Sequence, residues 1–342
     1  MPVSQRNGLL LVNLGTPNSP ARGDVYRYLR QFLTDPRVID YPWLARQVLV
    51  QGLIAPLRSG SSSKLYQKLW TPEGSPLKVY GERVAAGLAE RLGDSWAVAL
   101  GMRYQQPSIE KAWANLKKQG VRHLYVLPLF PQYASATTGS VHDAVMELLR
   151  REQTIPGLTL IDAYCDYAPM IRLFADNARQ FDLLSYDHIL FSYHGLPQRQ
   201  LKRADPGSHC LCSADCCSAL SDQNLFCYAA QCHQTTRAIV KELGLKENSF
   251  TTTFQSRLGP DKWAQPYTSV ILKQLANNGS KRLLVFSPAF VADCLETLIE
   301  IKVEYQEEFE EMGGEIIDLV PSLNDDPRWM DALHDLVCQY AC

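Results

Sequence analysis

The stretch Phe191-Ser192-Tyr193-His194-Gly195-Leu196-Pro197 decides the reading of the fold. Apolar and aromatic residues run into His194, and a Gly-x-Pro turn follows at once. That pattern sets an imidazole at the carboxyl end of a buried strand, where open α/β sheets hold their ligands. The same phrasing occurs near the start of the chain as Leu11-Val12-Asn13-Leu14-Gly15-Thr16-Pro17, with Leu14 at the position of His194. One structural unit is therefore expected twice, with a reactive side chain in one copy only.

Working outward, short apolar or β-branched runs bounded by Gly or Pro predict strands near 8–14, 96–101, 122–129, 158–163, 187–193, 249–255, 282–288 and 315–320. Helical patterns separate most of them, which implies parallel sheets built from right-handed βαβ units. The strands fall into two sets of four, each flanked by helices, in an α/β fold. Two further segments repeat in the same order. Gly101-Met102-Arg103 matches Gln255-Ser256-Arg257, and Leu124–Phe130 after Gly120 matches Leu283–Phe290 after Gly279. An internal duplication explains the order and the turn residues together. The expected division is a first domain over 1–170, a second over 171–325, and a C-terminal helix over 326–342 that packs back on the first. A substrate is expected in the cleft between domains, lined by strand ends from both.

Composition bounds the function. The 342 residues carry 34 Lys and Arg against 36 Asp and Glu, a net charge of −2, which gives no electrostatic case for nucleic acid. No apolar run approaches the ~20 residues of a membrane span. The segment Met1–Gly8 lacks the apolar core and cleavage site of a signal peptide, so a cytoplasmic location is expected. Ten cysteines in such a chain do not read as a disulfide scaffold. Cys210, Cys212, Cys216, Cys217, Cys227 and Cys232 crowd into one segment, with an insertion over 207–231. Crowded thiolates point to a metal. Their spacing matches neither the paired C-x-x-C zinc ribbon nor the plant-type ferredoxin run, so zinc and an iron–sulfur cluster both stay open.

Glu296, Glu300 and Glu304 are spaced i, i+4, i+8 and are expected along one helix face. Such a stripe is most often solvated. Here Glu296 opens the helix directly after a strand end, facing the cleft, and the line behind it can accept protons or pass cations. His194 read alone is as readily a hydrogen-bonded core histidine as a chemical one. In a Gly-x-Pro elbow facing a carboxylate it reads as a reacting group. Arg103-Tyr104 reads either as a structural pair at a strand end or as a binder of an acidic planar substrate.

Taken together, Val12–Pro17, Gly101–Tyr104, Pro131-Gln132-Tyr133 with Thr137–Ser140, Ser192–Pro197, Phe254–Pro260 with Trp263, and Asp293–Leu298 resemble the signatures of the ferrochelatases. The resemblance runs from about residue 8 to about 335. It implies two Rossmann-like domains and insertion of Fe²⁺ into protoporphyrin IX, the last step of protoheme synthesis. It implies His194 and Glu296 as the catalytic pair that meets Fe²⁺. It places Leu14, Tyr66, Arg103, Tyr104, Ser256 and Trp263 along the porphyrin, and Glu300 and Glu304 on an acidic path. Some members have histidine where this chain has Cys294. Many members hold a [2Fe–2S] cluster, often on a C-terminal extension. The cysteines here resemble a bacterial subgroup with an internal cluster, implying Cys210, Cys216, Cys217 and Cys227 as ligands, with Cys212 as the alternate. Cys232 is set aside because relatives without the insertion share it. The implied partners are protoporphyrin IX and Fe²⁺, with no nucleic acid. Peripheral membrane association and oligomeric state stay open. The competing expectations are a coproporphyrin III chelatase and, from another class, a cytosolic iron–sulfur redox or metal sensor.

Overall fold

The computed structural model describes residues 6–213, 215–257 and 259–341; Leu258 of the signature and Cys342 lie outside them. The first half runs β1 (Arg6–Gly15), α1 (Arg22–Leu33), α2 (Trp43–Gln47), a π-helical stretch (Val48–Ile54), α3 (Ala55–Leu69), α4 (Pro76–Leu92), β2 (Trp96–Tyr104), α5 (Ile109–Lys118), β3 (Val121–Pro128), a π-helical turn (Ser135–Gly139), α6 (Ser140–Leu149) and β4 (Gly157–Leu160). The second half runs α7 (Ala168–Ala178), β5 (His188–His194), α8 (Gln198–Arg203), α9 (Tyr228–Leu243), β6 (Phe250–Gln255), α10 (Thr268–Asn277), β7 (Arg282–Phe286), a π-helical segment (Glu296–Tyr305), α11 (Gln306–Glu311) and β8 (Ile316–Leu319). The chain closes with α12 (Pro327–Ala341). All eight expected strands are present.

The chain forms two compact units, Met1–Phe130 with Ser135–Asp162 and Asn324–Cys342, and Pro131–Ala134 with Ala163–Leu323. The first unit thus includes α12, which packs on α4, with Arg91 Nε bonding Asp331 Oδ1 at 2.6 Å. Each unit holds one four-stranded parallel sheet, ordered β2-β1-β3-β4 in the first and β6-β5-β7-β8 in the second. The central strand carries the longest apolar run because helices cover both faces of a parallel sheet. Leu9, Leu10, Leu11 and Val12 of β1 are wholly buried, as are Leu190, Phe191 and Tyr193 of β5. In the first unit, Leu10, Val12 and Val126 pack against Ile109, Trp113, Val141 and Val145 of α5 and α6. In the second, Leu190, Leu283 and Val285 pack against Leu272, Ile301 and Phe309.

The strand order puts a topological switch point beside the central strand of each sheet, so the residues after β1 and β5 stand where α/β sheets bind ligands. The two Gly-x-Pro turns have one physical cause, the close approach of the neighbouring strand. A Cβ on Gly15, whose φ is +115°, would lie 2.0 Å from the Tyr104 carbonyl oxygen. A Cβ on Gly195 would lie 2.9 Å from the Gln255 carbonyl oxygen and 3.3 Å from the Trp263 ring. The second strand of each unit is also braced alike. Met102 N donates to Pro107 O at 2.6 Å, and Phe254 N donates to Pro266 O at 2.9 Å.

Register corrects one expected equivalence. Asn13 pairs with Met102, and Tyr193 pairs with Phe254. With Leu14 matching His194, the partner of Arg103 in the repeat is Gln255 and not Arg257. Short motifs of similar composition slide by two residues without changing which face a strand residue occupies, so the pattern alone does not set the register.

Among the described residues no helix is long and apolar enough to cross a membrane. Trp43, Leu44, Val48, Leu53 and Leu57, from α2, the π-helical stretch and the start of α3, are each more than half exposed.

Replacing Gly15 by alanine should cost roughly 2–5 kcal/mol, because both the backbone conformation and the Tyr104 carbonyl oppose a side chain there. Urea unfolding measures this directly. A loss below about 0.5 kcal/mol would show that the β1 end can move away from β2.

Candidate functional site

In the second unit, β5 ends with the half-buried His194. Its Nδ1 lies 2.8 Å from the Gly195 carbonyl oxygen. A carbonyl only accepts, so Nδ1 carries a hydrogen, which leaves Nε2 as the nitrogen that can hold the lone pair of a neutral ring. Tyr228, the first residue of α9, donates its hydroxyl to the His194 carbonyl oxygen at 2.9 Å. The imidazole is thus held from its own turn, and the His194 backbone from the start of α9.

Glu296 is half-buried and opens the π-helical segment, a widened helix that recurs at functional sites. The buried Asp293 and Thr297 brace its start. Thr297 Oγ1 donates to Asp293 Oδ1 at 3.1 Å and accepts from Cys294 N at 3.0 Å. Cys294 is buried behind them. Burial above all, and then the Glu296 charge beside it, push its thiol well above the usual range, so it stays protonated. Glu300 is held by three donors, Ser256 Oγ at 2.5 Å, Gln255 Nε2 at 3.1 Å and Tyr305 Oη at 3.3 Å. Tyr305 stays a neutral donor because burial, reinforced by Glu300, raises its phenol. Glu304 is exposed. The acidic line therefore grades from a half-buried carboxylate through a fixed one to a solvated one. Ser256 takes a left-handed backbone conformation, with φ at 65°, immediately after β6. Trp263 is half-buried, bridges to Pro197 and lies against Gly195.

Gln255 joins these parts, and the sequence reading did not single it out. It pairs with His194 in the ladder, and its carbonyl accepts from Gly195 N at 2.8 Å. Its side chain accepts from Ser192 Oγ at 2.6 Å and donates to the Glu296 carbonyl oxygen at 3.2 Å as well as to Glu300.

In the first unit, Leu14 is half-buried at the end of β1. Arg103 and Tyr104 end β2 and converge on Asp35, whose side chain is only 2% exposed. Asp35 Oδ2 accepts from Arg103 Nη2 at 2.6 Å, Ser140 Oγ at 2.6 Å and Tyr104 Oη at 2.8 Å. Arg103 Nε also bonds Ser140 Oγ at 2.6 Å, and its guanidinium lies over the Tyr104 ring at 4.8 Å. Burial, and then the Asp35 charge, raise the Tyr104 phenol, which stays a neutral donor. Two expectations change here. Tyr104 has no exposed surface and Tyr66 is 6% exposed, its ring edge-on to Tyr28 and Trp70. Tyr104 is thus a buried donor to Asp35, and Tyr66 a buried ring in an aromatic cluster. Arg103 keeps one-fifth of its side chain exposed, with no bond on Nη1 among the described residues. Asp35 was not singled out from sequence either. A lone Asp-Pro after a helix reads as a helix stop.

In the insertion, Cys210, Cys216, Cys217 and Cys227 line one cavity of about 80 Å³, together with His209 and Phe226. Cys212 is exposed and outside that lining. The Cys217 sulfur lies 3.6 Å from that of Cys216 and 3.7 Å from that of Cys227. Among the described residues, no group of three or more His, Cys, Asp or Glu side chains is placed so that it could hold a metal ion. Cys227 sits at the N-terminus of α9. The Cys217 thiol and the amides of Ala230 and Ala229 favour its thiolate and push it down to about 6. The bond to Cys227 and burial push Cys217 up, and burial pushes Cys210 up to about 12.

Residues 6–341 match the family model described as Ferrochelatase. A ferrochelatase of Coxiella burnetii (strain RSA 493 / Nine Mile phase I) is 45% identical over 330 residues, 95% of this chain and 91% of that protein. One of Legionella pneumophila (strain Paris) is 43% identical over 332 residues, 97% of this chain and 98% of that protein. Among solved structures, the sirohydrochlorin chelatase SirB of Bacillus subtilis subspecies spizizenii with cobalt superposes with a TM-score of 0.53 at 10% identity, over 98% of this chain and 95% of that one. SirB from Bacillus subtilis with Fe³⁺ gives 0.54 at 11% identity, over 99% and 96%. These likenesses show the two-sheet chelatase fold.

Asp35→Asn should destabilise the chain by roughly 2–4 kcal/mol, since it leaves a mostly buried guanidinium without its counter-charge. Ser140→Ala, which removes one shared donor, should cost about 1 kcal/mol. Chemical denaturation orders the two variants, and equal losses would contradict the central place of Asp35.

Proposed function

Because this chain belongs to the ferrochelatase family, and so is a lyase that places ferrous iron in a porphyrin, we propose that its porphyrin is protoporphyrin IX and that His194 and Glu296 carry the insertion. The observation behind this reading is the pinned tautomer of His194 beside a braced, half-buried carboxylate segment in the same unit. Insertion removes two protons from the pyrrole N–H groups as the metal enters. His194 Nε2, with its lone pair presented, takes a proton from the ring nitrogen. Glu296 accepts the second proton, so that both N–H protons have an acceptor as Fe²⁺ enters. Glu300 and Glu304 lead from that pair to solvent. The guanidinium of Arg103 offers Nη1 to a propionate, while Leu14, Ser256 and Trp263 supply porphyrin contacts. Tyr104 supports Arg103 through their shared partner Asp35, and Tyr66 packs within the first unit. The Ser192–Pro197 and Asp293–Leu298 wording favours protoporphyrin IX over coproporphyrin III, which carries more carboxylates. Family membership sets the sensor reading aside.

We further propose that Cys210, Cys216, Cys217 and Cys227 hold a [2Fe–2S] cluster. The thiol spacing supports this, since two sulfurs on one tetrahedral metal with ~2.3 Å bonds stand ~3.8 Å apart. Zinc would accept the same thiols, so the metal is chosen on the resemblance. When bound, such a cluster supplies one-electron redox chemistry, which iron insertion does not require. Its place at the start of α9, one residue before Tyr228, fits a structural role. Peripheral contact with lipid is consistent with the exposed apolar surface around Trp43 and Leu57.

His194→Ala and Glu296→Gln should each lower Fe²⁺ or Zn²⁺ insertion into protoporphyrin IX by about 10²–10⁴-fold. Near wild-type turnover in either removes that residue from the chemistry, and a higher kcat/KM with coproporphyrin III reassigns the substrate. Anaerobically purified protein should be coloured and contain iron and labile sulfide in equal amounts. Cys217→Ser should bleach it and lower its thermal midpoint, whereas Cys212→Ser should leave the colour. A colourless protein with stoichiometric zinc would overturn the cluster.

A further inference from the structure

We propose that Gln255 is the positioning residue that sets the distance between His194 and the glutamates of the π-helical segment. The proposal rests on the reading of His194 and Glu296 as the reacting pair. Gln255 is 2% exposed, and its hydrogen bonds divide between the two parts to be aligned. Its backbone belongs to the histidine side, through the ladder pairing with His194 and the bond from Gly195 N. The Nε2 of its amide reaches the glutamate side, bonding the Glu296 carbonyl and Glu300 Oε2.

The amide cannot turn over without loss. Ser192 Oγ bonds Gln255 Oε1, and Ser192 is itself buried and linked to Thr268 Oγ1 at 3.0 Å. Oε1 faces a hydroxyl that can donate, while Nε2 faces two oxygens that only accept. Reversing the amide would set its oxygen against a carboxylate and a carbonyl in a water-poor site. The orientation follows from the partners, and with it the placing of Glu296 and Glu300 relative to the β5 end.

The duplicated unit supports the role. At the matching position, Arg103 ties the end of β2 to Ser140, the residue directly after the π-helical turn Ser135–Gly139. Both units thus anchor the helix that follows the third strand to the end of the second strand with one polar side chain. In the first unit that side chain is a cation held by Asp35. In the second it is neutral, as a site that must admit Fe²⁺ and release protons requires.

Steady-state metal insertion by Gln255→Leu and Gln255→Glu, beside wild type and His194→Ala, tests this. Gln255→Leu keeps the bulk and loses every side-chain bond. Gln255→Glu keeps the acceptor toward Ser192, which protects the fold if the leucine variant unfolds, but sets a carboxylate against Glu300. Each should lower kcat by about 10- to 100-fold and raise the metal KM, with the porphyrin KM changed by less than about twofold, because misplacement acts on the reacting atoms and not on ring binding. A wild-type kcat in either folded variant, or a loss carried by the porphyrin KM alone, overturns the proposal. If His194→Ala is inactive in that case, the reacting-pair reading survives it. If His194→Ala is active, that reading falls and the proposal with it.

Discussion

A parallel sheet ends in carbonyls and side chains that no strand continues, and this chain must make two such ends rigid enough to be useful. Both units answer with close strand approach at a glycine and one polar side chain reaching from the second strand to the helix after the third. Gly15 and Gly195 are required because the neighbouring strand's carbonyl occupies the space of a Cβ. Arg103 and Gln255 then tie the strand end to a helix whose first turns are widened. Once those ties exist, the directions of His194, Glu296 and the guanidinium of Arg103 follow.

The duplication preserved the frame and divided the charge. In the first unit the central strand ends in Leu14, and the anchor is a guanidinium compensated by a buried carboxylate. In the second the central strand ends in an imidazole whose Nδ1 faces a backbone carbonyl, and the anchor is an amide facing a carboxylate and a carbonyl. In the proposed reading, the propionates of a porphyrin suit the first arrangement and ferrous iron the second. Neither assignment needs a long-range field, in keeping with a net charge of −2.

The cysteine segment joins this frame through α9. Cys227 lies at the helix N-terminus, where backbone amides favour a thiolate, and the next residue, Tyr228, holds the backbone of His194. Whatever orders the thiols around the 80 Å³ cavity therefore also orders the start of the helix that holds the His194 backbone. Distance in sequence between the insertion and His194 conceals a path of one hydrogen bond and one peptide link.

Much was legible in the chain itself. Buried parallel strands must be continuous apolar runs, and tight turns at their ends must carry glycine, so strand number, the doubling of the unit and the placing of His194 at a strand end follow from local physics. The thiol crowding and the acidic spacing were visible for the same reason. Register was not, because sliding a strand by two residues leaves its faces unchanged; hence the mistaken match of Arg103 with Arg257. Nor were the roles of Asp35, Gln255 and Tyr228. A buried carboxylate, amide or phenol takes its function from partners distant in the chain, and only the folded structure brings Ser140 to Asp35, Glu300 to Gln255 and His194 to Tyr228. Sequence settles which residues can end a strand; tertiary structure decides which of them are spent on holding the others in place, because hydrogen-bond partners in the interior are chosen by packing and not by neighbourhood in the chain.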